Sequence, residues 1–270
     1  MKKNSRWSSP ARGISNIDFP MNELRLGVNI DHIATLRQAR YSSMPEAENV
    51  EPNLIAAAAI CERAGAHSIT VHLRADRRHI QDRDVVRLRE SLNTKLNLEM
   101  GNTLEILEIA LKILPEDVCL VPENRREITT EGGLDAVAQF KQLQPTIRRL
   151  QTAGIRVSLF IEPSPEQIDA AKKLDAEAVE LHTGAFANAA GKAQDDEVAR
   201  LRAAALHANR LGLQVNAGHG INYTNIKKIL ALPHLAELNI GHSIVSRAIF
   251  SGLETAVREM RAAMRGYNPR

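Results

Sequence analysis

The sequence predicts a (β/α)8 barrel, an α/β fold of eight parallel strands ringed by helices. Three observations point to it. Eight short runs rich in Val, Ile and Leu recur, at residues 24–30, 68–73, 95–100, 118–123, 156–162, 178–183, 214–219 and 237–242. Stretches with helical spacing separate them, and strands that alternate with helices imply parallel crossover units. The chain has 270 residues, 44% hydrophobic and 25% charged, which suits one such barrel. An open doubly wound sheet would normally carry a Gly-rich dinucleotide fingerprint after its first strand, and "GVNIDHI" is not one.

The elements follow in order. The first strand, "LRLGVNI", leads into a connection containing "YSSMPEAENVEP", which reads as a loop. Helical patterns then run over 53–65, 84–93, 103–114, 140–154, 165–175, 196–212, 223–232 and 252–266. Gly65, Gly154 and Gly212 stand where a left-handed residue ends a helix before the next strand. Pro145 lies inside the fourth of these patterns and predicts a break there, giving extra helical segments. Residues 1–20 are basic, Ser-rich and free of acids until Asp18. They read as an N-terminal extension without packed structure, or as the product of an upstream start with Met21 the true one, and a targeting segment would look similar. Residues 21–270 read as one barrel domain.

Composition narrows the function. The formal charge is +3 and basic residues are interspersed with acids, which is no nucleic-acid footprint. Aromatics are 3%, too few for base-stacking platforms. No apolar run approaches the roughly 20 residues of a membrane span. No secretory core follows the N-terminus. Cys61 and Cys119 fall in apolar patterns and read as reduced core residues, which places the protein in the cytoplasm.

In this fold the chemistry sits where the strands end. Those ends carry Asn29, Asp31 and His32; His72, Arg74 and His79; Glu99; Glu123; Glu162; Glu180 and His182; Asn216 and His219; Asn239 and His242. Any one of them could be structural, but their concentration predicts one polar cavity. "NAGHGIN" and "NIGHSIVSRAIFSG" follow strands seven and eight, the usual phosphate cradle of the fold, so Gly220, Gly241 and His242 suggest an anion site. "HLRADRRHI" suggests a second, although Arg77 and Arg78 could instead pair with Asp76, Asp82 and Asp84. There is no tight metal-binding pair of histidines, no G-x-S-x-G and no strand-end lysine, so a metal centre, a serine nucleophile and a Schiff base are not expected.

The segments "GVNIDHIATLRQAR", "TVHLRADRRHIQDRDV", "NLEM", "LVPENRREITTEGGLD", "VSLFIEP", "ELHTG", "VNAGHG" and "ELNIGHSIVSRAIFSGL" closely resemble the pyridoxine 5′-phosphate synthase family of vitamin B6 biosynthesis, from about Leu24 to Met264. The resemblance implies a ring-closing condensation of 1-deoxy-D-xylulose 5-phosphate with 3-amino-2-oxopropyl phosphate, without metal or organic cofactor, in a homo-octamer built from dimers. It implies His72 as proton acceptor, Glu99 as a second general base, Glu180 as stabiliser of a charged intermediate and His219 as proton donor. It places Asp31, His32, Arg74, His79 and Thr129 at the deoxyxylulose phosphate. It places Asn29, Arg40, Gly220, Gly241 and His242 at the aminoketone phosphate, and it assigns Arg37 nothing. The segment around Thr129, with Gly132 and Gly133, is expected to act as a lid. The extra N-terminal residues and a longer loop at Ser42–Glu51 depart from the family pattern. A phosphosugar isomerase or epimerase on the same barrel, or a non-catalytic phosphate-ligand sensor, are the rival readings.

Overall fold

The computed structural model describes residues 23–44, 49–123 and 132–269. The expected N-terminal extension and Thr129 lie outside these residues. Eight strands form in order: β1 (Arg25–Asn29), β2 (Ser68–His72), β3 (Lys95–Met100), β4 (Asp117–Leu120), β5 (Arg156–Ile161), β6 (Ala178–His182), β7 (Gln214–Gly218) and β8 (Leu235–Ile240). Each pairs in parallel with the next, and β8 pairs with β1 to close the barrel.

The alternation within the strands sets the layout. Leu26, Val28, Ile69, Val71, Leu96, Leu98, Val157, Leu159, Val179 and Leu181 are buried in one hydrophobic cluster with residues of the helices. Because side chains alternate across a strand, the residues between them face the lumen, and apart from Gly27, which makes room for Asn239, Ser68 and Glu237, these are polar. Barrel interiors are usually filled by branched apolar side chains. Here Ser68 Oγ donates to Glu237 Oε1 at 2.8 Å and Arg25 Nε donates to Glu237 Oε2 at 3.1 Å. Asn97 Nδ2 donates to Thr70 Oγ1, which donates to Asn239 Oδ1. Asn239 Nδ2 donates to Glu180 Oε2 at 2.6 Å. Buried polar groups of this kind are tolerated because they satisfy one another.

Eleven helices surround the barrel among the described residues: α1 (Asp31–Tyr41), α2 (Leu54–Arg63), α3 (Asp82–Ser91), α4 (Leu104–Ile113), α5 (Phe140–Thr152), α6 (Pro165–Lys173), α7 (Gly184–Asn188), α8 (Gly191–Arg210), α9 (Ile226–Ile229), α10 (His242–Ser251) and α11 (Leu253–Met264). Gly65, Gly154 and Gly212 have positive φ, as a helix-ending residue requires. Cys61 and Cys119 are free and buried, and burial, with Glu62 adding to it, pushes the Cys61 thiol up to about 12.

One expectation changes. Helix α5 runs unbroken through Pro145. The proline costs the bond to the Lys141 carbonyl, but both residues are on the exposed face, where water serves that carbonyl. Leu143, Ile147 and Leu150 hold the opposite face in the core. The connection after β1 begins with a helix, α1, that the periodicity did not mark, and the described residues after it, 42–44 and 49–52, carry no helix or strand, as the loop reading expects. The Asp31 amide donates to Asn29 Oδ1 at 2.9 Å, which satisfies one open amide of its first turn. Ile33, Ala34, Arg37 and Tyr41 form its buried face.

That helix separates the two guanidiniums of the first motif. Arg37 is buried against Asp84, with Nη1 to Oδ1 at 2.8 Å and Nη2 to Oδ2 at 2.6 Å, and it also donates to the His79 carbonyl at 3.1 Å. Asp84 in turn accepts the Gln81 amide and caps α3. Removing one partner of a buried ion pair costs about 3–5 kcal/mol, because the other charge stays buried and unpaired. Arg37→Ala is therefore expected to lower the unfolding free energy by about that amount. Urea denaturation measures it, and a loss well under about 1 kcal/mol would show that the pair is not holding this corner.

Candidate active site

A cavity of about 600 Å³ opens at the C-terminal ends of the strands. It is lined by Asn29, Asp31, His32, His72, Arg74, His79, Glu99, Glu180, His219, Gly220, Gly241 and His242, so twelve of the fourteen expected site residues meet there. Thr129 is not among the described residues. Arg40 is not among the cavity-lining residues. It is exposed in the last turn of α1, with its guanidinium 5.7 Å from the Tyr41 ring centre.

The first strand end organises one wall. Asn29 Nδ2 donates to Asp31 Oδ2 at 2.9 Å, and Asp31 Oδ1 accepts the His72 amide at 2.8 Å. These contacts tie the ends of β1 and β2 together. His72 Nε2 lies 3.1 Å from Glu123 Oε1. Glu123 also accepts the amides of Ala75 and Gly101. Burial opposes ionisation of Glu123, but these hydrogen bonds, His72 first, hold its carboxyl below the usual range. An ionised Glu123 accepts a hydrogen bond from His72 Nε2, so the neutral tautomer of this ring would leave Nδ1 as a lone pair. The Ile80 amide donates to His79 Nδ1 at 2.9 Å, so a neutral His79 carries its proton on Nε2. Arg77 pairs with Asp82 and Glu105, and Arg78 with Asp76, so the solvated reading holds for both. Only Arg74 and His79 of that loop reach the cavity.

Two carboxylates form the floor. Burial, with Asp31 and Glu180 adding to it, raises the Glu99 carboxyl well above its ordinary value, against a hydrogen bond from Asn29. Burial likewise raises Glu180 to about 7, against the Asn239 hydrogen bond. A carboxyl at about 7, as Glu180 is, can hold and release a proton near neutral pH. Asp31, His72 and Glu99 also bring one ligand atom each to within 4.8 Å of one another, a set that could hold a divalent cation. No local spacing marks this grouping, because the three residues come from three different strand ends.

The opposite wall is the turn after β7 and the start of α10. His219 and Gly220 both have positive φ, +77° and +80°. Burial lowers His219 to about 4, and His182, His242 and His32 add to the effect. His32 is also lowered by burial, with Asp31 opposing, and its ring meets that of His242 edge-on at 5.2 Å. Gly241 precedes α10, and its carbonyl accepts the amides of Ile244 and Val245. The amides of His242 and Ser243 precede those bonds and are open to an anion. Sequence reasoning missed Asn222 and Ser243, which also line the cavity. They lie just past the strand ends, where no periodicity marks a direction.

A pH test follows from Glu180. Its folded value lies above its ordinary one of 4.5, so its contribution to stability is full below about pH 4.5 and is lost as pH rises through about 7. The expected loss is on the order of 3 kcal/mol. Glu180→Gln should remove that loss, so that its stability relative to the native chain rises between pH 5 and pH 8. Parallel denaturation curves at the two pH values check this, and parallel behaviour of both proteins would refute it.

The chain matches the family model described as "Pyridoxal phosphate biosynthesis protein PdxJ" over residues 26–266. It is 59% identical over 240 residues to a pyridoxine 5′-phosphate synthase of Akkermansia muciniphila, covering 88% of this chain and 98% of that one. It is 57% identical over 242 residues to one of a Synechococcus strain, covering 89% and 98%. Among solved structures, KGPDC from Streptococcus mutans aligns with a TM-score of 0.61 at 9% identity, covering 91% of this chain and 99% of that one. A 4-hydroxy-2-oxoglutarate aldolase/2-deydro-3-deoxyphosphogluconate aldolase from TTHB1 aligns at 0.59 and 16%, covering 90% and 96%. These distant structures share the barrel alone. Between the family match and the close relatives, the conclusion is that this chain belongs to the PdxJ family of pyridoxal phosphate biosynthesis proteins.

Proposed function

We propose that this protein is a pyridoxine 5′-phosphate synthase. It condenses 1-deoxy-D-xylulose 5-phosphate with 3-amino-2-oxopropyl phosphate to give pyridoxine 5′-phosphate, phosphate and water. The observation that carries the reading is a single cavity, in a chain of this family, with two anion-binding ends and acid–base groups between them. Arg74 and His79 stand at one end, and the His242 and Ser243 amides with Gly220 at the other. Asp31 lies between them and suits a sugar hydroxyl, since an unpaired carboxylate beside a phosphate is costly.

Joining an amine to a ketone, losing water and closing a ring need repeated proton transfers. Positioned acids and bases contribute about 10²–10⁴-fold to each. With Nε2 committed to Glu123, His72 Nδ1 takes a proton. Glu99 and Glu180, both raised, serve as base and as stabiliser of a cationic intermediate. His219 is the donor to the departing oxygen. It is neutral in the empty site and gains its proton when anionic substrate offsets the neighbouring imidazoles.

The test is a product assay with chelator-treated protein and both substrates, read by mass and fluorescence. Pyridoxine 5′-phosphate is expected without added metal, with a loss of about 10²-fold or more in His219→Ala. Activity lost on chelation and restored by a divalent cation would instead assign Asp31, His72 and Glu99 to a metal. No product from folded protein that binds the phosphosugar would favour an isomerase or a sensor.

The reading includes a cytoplasmic homo-oligomer. No helix among the described residues is long and apolar enough to cross a membrane. Both cysteines are free thiols. Leu36 on α1 and Ile249 and Phe250 on α10 are exposed, Phe250 at 89%, on two helices that contact each other. Apolar surface of this kind suits a second copy of the chain. Phe250→Asp is expected to lower the mass measured by light scattering, and an unchanged mass would remove this face from the interface.

A further inference from the structure

Behind the cavity wall stands a pair of ionisable groups that the proposed reaction does not use. His182 ends β6, and Glu162 follows β5. His182 Nδ1 lies 2.7 Å from Glu162 Oε1. The carboxylate is held from two further sides: the Gly133 amide donates to Oε1 at 3.2 Å, and Arg200 of α8 donates to Oε2 at 3.3 Å. The His182 hydrogen bond, ahead of the Gly133 and Arg200 contacts, holds the Glu162 carboxyl down to about 2. Glu162 is therefore ionised at working pH and keeps a proton on His182 Nδ1.

The other nitrogen is unusual. His182 is 7% exposed, and its Nε2 is buried without a hydrogen-bond partner among the described residues. The ring centre lies 5.1 Å from that of His219 and 5.2 Å from that of Phe160. A methyl group placed on Gly184 would sit 2.4 Å from His182 Nε2 and 3.3 Å from His219 Cδ2. Both imidazoles thus converge on a position that tolerates no side chain. The neighbouring Thr183 fixes the backbone of the same turn, its hydroxyl donating to the Gly218 carbonyl at 2.9 Å and to the His219 carbonyl.

We infer that Glu162 and His182 are positioning residues for His219. The carboxylate fixes the tautomer of His182, and the His182 ring, seated on Phe160 and the bare Gly184, sets the angle and the charge at which His219 meets the substrate. The inference rests on the proposed role of His219. Groups facing His219 are His182 from β6, His242 from α10 and His32 from α1. Those facing His182 are Glu162 and His219, with Arg200 behind Glu162. After burial, His182 is the largest influence lowering His219. A charge on one imidazole opposes a charge on the other, so the dyad governs when His219 takes its proton.

The experiment compares His182→Phe, Glu162→Gln and Glu162→Asp with the native protein. Phenylalanine keeps a ring against Phe160 but removes both nitrogens. Four quantities are read: kcat, KM, thermal unfolding, and the His219 imidazole resonance against pH, assigned by its loss in His219→Ala. His182→Phe is expected to lower kcat by about 10-fold or more, up to the 10²–10⁴-fold of a positioned acid, with KM within about twofold. The His219 titration should move upward from about 4. Glu162→Gln should lose kcat and Glu162→Asp should recover most of it. Native kcat with an unmoved His219 titration in His182→Phe overturns the inference. So does a kcat loss that merely follows the melting temperature. If the native protein makes no product, the functional reading fails, while the His219 titration still decides whether the dyad controls that ring.

Discussion

The structure depends on one constraint: the barrel lumen is polar, and its polar side chains have only one another to bond to. The Asn239–Glu180 hydrogen bond of 2.6 Å is its central member. A lone buried amide or carboxyl would cost several kcal/mol. Strand register therefore matters twice, for packing the helices outside and for pairing the lumen groups inside. A shift of one residue in any strand would send an apolar side chain into this network and a polar one into the core. The same network carries upward into the cavity, where Glu180 is both the top of the lumen and the floor of the site.

The strand-end carboxylates fall into two kinds according to their partners. Glu123 and Glu162 each meet a histidine, His72 and His182, and both are held ionised. Glu99 and Glu180 each meet an amide, Asn29 and Asn239, and burial raises both. One kind is held charged against imidazoles, and the other is held toward its neutral form by burial. Groups of one chemical type pushed apart by their surroundings are a usual mark of acid–base assignment. On the far wall burial, with the imidazoles of His182, His242 and His32 adding to it, lowers His219 to about 4.

Much of this was legible in the sequence. The eight strands could be read because each alternates apolar with polar residues, and the cavity residues could be read because strand ends share one face of a barrel. Less legible was what each polar residue touches. Arg37 and Arg40 stand three apart in one motif, yet one is buried against Asp84 and the other lies exposed beside Tyr41. Pro145 carries a strong local signal for a break, and the packing of Leu143, Ile147 and Leu150 overrides it. Glu162 and His182 are ordinary strand-end residues until β5 and β6 are set side by side.

The sequence by itself determined the fold class, the family and the set of residues that meet at the strand ends, because these follow from periodicity and from long contiguous motifs. Only the tertiary structure decided which carboxylate pairs with which ring, which guanidinium is buried and which protons are held. Those properties depend on distances between strands far apart in the chain, and on the loss of water around groups that the local sequence leaves solvated.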